Sequence, residues 1–163
     1  MSRSAFEVRF DALRSRNIVP PVTPASTLRA VVCFLVLVTG SLAQDVRISE
    51  FLPVNTAGLK DKDLTFQPWI EIWNTSTSVK VTLTGWKLVH GATQWPFPSG
   101  MEIPPAEYVV VFADSKNRAV LTAPLHTNFT LNAAGGGPLT LVRADTSVAS
   151  TFTTYPALAA NVS

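Results

Sequence analysis

The sequence predicts an all-β fold, an immunoglobulin-like antiparallel β-sandwich preceded by a signal peptide, and three observations carry that expectation. Eight or so short segments of alternating or continuous apolar character run through residues 46–152, with turn signals about every 8 to 12 residues, the pattern of a sandwich. Thr and Val are frequent there, no long helical period is visible, and 12 Pro punctuate the chain. Ahead of them lies a single arginine-flanked apolar run.

That run reads L-R-A-V-V-C-F-L-V-L-V-T-G-S-L-A-Q from Leu28. Its unbroken apolar part, Ala30 to Val38, is about half of the roughly 20 residues that cross a bilayer, so it reads as the apolar centre of a secretion signal and not as an anchor. Ser41 and Ala43 supply the small residues of a cleavage site. The expected division is a signal peptide with a long leader over 1–43 and one sandwich domain over 44–163. The leader is long enough that a start codon assigned too far upstream is an equal explanation. Cys33 is the sole cysteine and lies inside the apolar run, so cleavage removes every thiol, and with it disulfides, thiolate catalysis and cysteine metal sites. Residues 1–43 hold five Arg against Glu7 and Asp11, a net +3; the whole chain is +2, so the remainder is −1, with no basic cluster to track a phosphate backbone. Nucleic acid is excluded as a partner on this ground, and no membrane contact is expected after cleavage.

The strands follow in order. Val46–Leu52 alternates and is stopped by Pro53, which cannot donate to a ladder. The polar stretch Asn55–Gln67 is a solvated loop; Asp61 and Asp63 stand two apart, but Lys60 and Lys62 interleave them and no calcium-loop glycine or terminal Glu follows, so no metal and no cofactor is expected. Trp69–Trp86, W-I-E-I-W-N-T-S-T-S-V-K-V-T-L-T-G-W, reads as an antiparallel meander. Alternation puts Ile70 and Ile72 inward and Trp69, Glu71 and Trp73 outward. Gln94–Gly100 is a proline-marked edge piece, and Tyr108–Ala113, the most apolar run of the mature chain, is the most buried strand. Asp114–Ala123 loops over the surface, with a helical turn near Ser115–Arg118. Leu125–Leu131 is extended, Ala133–Pro138 is a link of high flexibility, and Leu139–Val142 pairs with Val148–Phe152.

The order V-R-I-S-E-F-L, W-I-E-I-W-N, L-T-G-W-K-L, W-P-F-P, P-A-E-Y-V-V-V-F-A and L-T-L-V, over residues 46–152, resembles the lamin-tail domain, and P-L-H-T-N-F-T-L resembles the form found in secreted bacterial proteins. The resemblance implies a non-catalytic immunoglobulin-like module, with Asn74, Gly85 and Trp86 as structural signature positions beside the inward Ile70 and Ile72. It also implies that such domains sit in larger multidomain proteins, so that the chain is a fragment or a free-standing remnant.

No catalytic constellation is present: His90 and His126 stand in no H-x-H, H-E-x-x-H or G-x-S-x-G setting and read as polar strand-end or loop residues. Glu50 and Glu71 read as outward carboxylates paired with Lys80 and Lys87 across strands. Two functions from different classes stand: a secreted or cell-surface module that binds protein or places a neighbouring domain, and a carbohydrate-binding module that stacks sugars on exposed Trp. In both, Trp69, Glu71 and Trp73 are the candidate binding residues, because two Trp on one outer strand face are more apolar surface than a soluble domain leaves bare. The alternative is that Leu64–Pro68 folds back over this ledge, and the partner is a protein or a cell-surface glycan.

Overall fold

The structure, a computed structural model, describes residues 46–163. The leader expected over 1–43 lies outside the described residues, as does Cys33. Ten strands follow in order: β1 (Val46–Leu52), β2 (Trp69–Asn74), β3 (Val81–Thr82), β4 (Lys87–His90), β5 (Thr93–Pro96), β6 (Glu102–Ile103), β7 (Tyr108–Phe112), β8 (Leu125–His126), β9 (Leu139–Val142) and β10 (Val148–Phe152). No helix occurs among the described residues.

Two four-stranded sheets, of order β1-β2-β7-β8 and β10-β9-β4-β5, are joined by the ribbon β3-β6. Every pairing is antiparallel except β7 with β8, which is parallel. One hydrophobic cluster draws Ile70, Ile72 and Val111 from the first sheet, Leu88, Trp95, Leu139 and Leu141 from the second, and Val81 and Ile103 from the ribbon. Ile70 and Ile72 are fully buried, as period 2 places them.

Trp69–Trp86 is not a meander. β2 pairs with β1 and β7, β3 pairs with β6, and β4 pairs with β5 and β9, so the stretch leaves one sheet and enters the other. The cause is the turn after β2. The fully buried Asn74 shares its two amide hydrogens among the carbonyls of Val79 (2.8 Å), Ile103 (3.1 Å) and Pro104 (3.0 Å), while its Oδ1 accepts from Ser76 N (3.1 Å). These bonds tie the turn to the segment that leads into β7, so β3 cannot fold back onto β2. At the next turn Gly85 has φ +80°, and a Cβ there would lie 3.0 Å from that of Ala144. The turn delivers Trp86 to the core, 3% exposed, beneath the Arg143 guanidinium at 5.6 Å.

Three further expectations are corrected. Tyr108–Ala113 is not the most buried strand, because one face of β7 is a surface and leaves Tyr108 59% exposed. Ser115–Arg118 makes no helical turn: Ser115 and Asn117 have φ of 66° and 53°, and Arg118 pairs back with His126. Ala133–Pro138 is no slack link. Gly136 exchanges two backbone hydrogen bonds with Tyr155, at 3.0 and 2.7 Å, and a Cβ on Gly135 or Gly137 would come within 2.8 or 2.3 Å of the 153–155 backbone. Glycine is there to let two chain segments touch.

β1 and β10 are the neighbouring edges of the two sheets, joined by an edge-to-face contact of Phe51 with Phe152 at 5.1 Å. Each edge carries a register shift, between Ile48 and Glu50 in β1 and between Val148 and Ser150 in β10.

Candidate functional site

Strand register arranges the outer face of the first sheet in rows. Arg47, Trp73 and Tyr108 form one row, Glu71 and Val110 the middle, and Trp69, Phe112 and His126 the other end. The two ends differ in cover.

At the first end Trp73 is half-buried. The Arg47 guanidinium lies over its ring, 4.9 Å from the centroid, and its Nε1 donates to the Ala106 carbonyl at 3.3 Å. Tyr108, beside it, turns most of its ring to solvent. In the middle row Glu71 accepts a 2.6 Å hydrogen bond from Ser49 Oγ and is half-buried. Lys80 and Lys87 are not its partners, since both are engaged elsewhere: Lys80 pairs with Glu102 at 3.0 Å and Lys87 bonds Gln94 at 2.9 Å.

The second end is closed. Phe112 is 5% exposed and stacks on the fully buried His126, with centroids 5.2 Å apart and planes at 30°. Trp69 is half-buried, with its Nε1 shielded and unbonded among the described residues. His126 ends strand β8, as expected of a strand-end residue, but it is fully buried there. Its Nδ1 lies 2.9 Å from both Asp114 carboxylate oxygens, and its Nε2 meets the Arg118 guanidinium. Arginine can only donate, so Nε2 accepts, and the ring hydrogen sits on Nδ1 and points at Asp114.

Lys116 joins this end to the 53–67 loop. Its ammonium contacts Asp61, reaches Asp63 at 2.7 Å and lies 3.4 Å from Asp114. Asp61, expected on a solvated loop, is only 3% exposed, and its Oδ1 also accepts from Thr65 N (3.0 Å), Thr65 Oγ1 (2.9 Å) and Asp63 N (3.0 Å). Burial pushes the Asp61 carboxyl up, but the hydrogen bonds from Lys116 and Thr65 outweigh it and hold the group well below the ordinary carboxylate range. The same bonds, from Asp61 first and then Asp63, raise Lys116.

Asp61, Asp114 and His126 bring ligand atoms within 4.8 Å of one another, a donor set suited to a divalent cation. Lys116 already supplies a positive charge there, touching both Asp61 and Asp114. The arrangement is a clasp that holds the loop across the sheet.

Of the three candidate residues, Trp73 and Glu71 border the open end, whereas Trp69 belongs to the closed one. Arg47 and Tyr108 escaped sequence reasoning because their adjacency to Trp73 exists only through strand pairing. The clasp escaped it because Asp61 and Lys116 are far apart in the chain and carry no spacing signal. No curated protein matches the chain. The family model for the Lamin Tail Domain matches residues 39–155.

Proposed function

The chain belongs to the lamin tail domain family, and on that premise we propose that it is a secreted, non-catalytic adaptor module that holds a partner protein on the open end of its outer sheet face. The observation that carries the reading is the row Arg47–Trp73–Tyr108, with Tyr108 59% exposed. Tyr, Trp and Arg are the residue types that dominate binding energy at protein interfaces, and here they adjoin across three strands. Arg47 over the Trp73 ring favours protein over glycan, because a sugar would need the indole face that the guanidinium covers. Export would remove about 43 residues, judged from the cleavage pattern ending at Ala43. Intact mass of the exported chain measures this, and full-length chain in the membrane fraction would count against it.

The binding test screens the chain against extracellular proteins and a glycan array in parallel, and repeats every hit with Tyr108→Ala and Arg47→Ala. Both substitutions are at the surface and should move stability by no more than about 0.5 kcal/mol. A protein hit weakened by about 2 kcal/mol or more in Tyr108→Ala supports the proposal. A glycan hit with that sensitivity transfers the site to the carbohydrate reading, and hits indifferent to both variants remove the ledge from consideration.

A further inference from the structure

A concave feature lies on the side of the sandwich where edges β1 and β10 meet, next to the middle row of the outer face, since Glu50 stands opposite Glu71 in register. A crevice of about 320 Å³ opens there, with Glu50, Phe51, Phe152, Tyr155 and Leu158 in its wall. Phe51 contacts both other rings edge-to-face, Phe152 at 5.1 Å and Tyr155 at 5.0 Å, so the aromatic wall is fixed by its own packing. The Tyr155 hydroxyl accepts from Asn132 N at 3.1 Å, and its backbone is pinned to Gly136, which holds this wall in place. Glu50 brings a carboxylate, half-buried, that forms no hydrogen bond or ion pair among the described residues.

From this combination we propose that the crevice is a binding site for a small alkylammonium group. A neutral apolar guest would take water from the carboxylate and return nothing, and an anionic guest would be repelled. An alkylammonium satisfies both walls: its charge faces Glu50 and its polarised methyl or methylene hydrogens face the part-open ring of Phe152, which the buried Phe51 and Tyr155 back. The volume is at the small end for ligand pockets and suits one such group. The site adjoins Glu71 but uses none of the Arg47–Trp73–Tyr108 row.

The test follows aromatic and methyl NMR signals of the full chain during titration with choline, with its uncharged carbon isostere 3,3-dimethylbutan-1-ol, and with N-acetyl-lysine methylamide. Choline or the lysine derivative should give saturable shifts at Phe152 and Tyr155, with affinity about tenfold or more above that of the neutral isostere. The tighter of the two cations identifies the source as a free quaternary amine or a lysine side chain. Glu50→Gln, at a half-exposed position, should fold normally and abolish the preference for charge. Equal affinity for choline and the isostere, no saturable shift with either cation, or a charge preference that survives Glu50→Gln would overturn the proposal.

Discussion

Ile72 and Trp86 show what single side chains do here, since each is almost wholly withdrawn from water, Ile72 within β2 and Trp86 at the entry to β4. Truncation to Ala loses transfer free energy and leaves a void that the rigid sandwich cannot collapse. Ile72→Ala and Trp86→Ala should each lower unfolding free energy by about 2–5 kcal/mol, read from urea midpoints at constant slope. Unchanged midpoints would contradict the burial. Asn74 acts differently, since its amide serves three carbonyls on two separate segments, and so it fixes direction as well as contributing stability. The inward set Ile70 and Ile72 was legible because period 2 is a local property. The reach of Asn74 was not, because Ile103 and Pro104 are about thirty residues away in sequence.

At the scale of elements, the loop 53–67 and the turn 114–118 hold each other through Lys116. Lys116→Met leaves Asp61 buried beside Asp114 without its cation, and should destabilise by somewhat less than the roughly 3–5 kcal/mol of a fully buried pair, because the ammonium is partly solvated. The pH dependence has a defined sign. Asp61 is depressed in the folded state, so its contribution is complete above the unfolded carboxylate value of about 3.9 and is lost as pH falls toward the folded one. Chemical denaturation from pH 7 down to about pH 2 should therefore show stability falling below about pH 4, and Asp61→Asn should flatten that slope. A slope unaltered in the variant would place the acid sensitivity elsewhere. Strand positions were mostly readable from alternation and proline, whereas pairing was not: the Trp69–Trp86 stretch contains β2 and β3 and leads into β4, no two of these share a ladder, and nothing in their local pattern says so.

For the whole molecule, the resident ammonium among Asp61, Asp63 and Asp114 supplies the charge that a bound cation would otherwise bring. Thermal melts with and without a chelator should overlay, and a large drop in Tm on chelation would reassign the Asp61–Asp114–His126 set to metal. The all-β class was visible in composition and turn spacing, because those sum over the chain. That a loop could fold over the outer face was legible as an alternative, but its fastening was not, because the buried Asp61 is held by a lysine from another loop. The shifted registers of β1 and β10 carry a consequence of their own. A flat, regular strand border is a template on which a second chain can crystallise into a ribbon, and these two borders each have one residue out of step. A second copy of the domain would find no flat, matching ladder along this side of the sandwich.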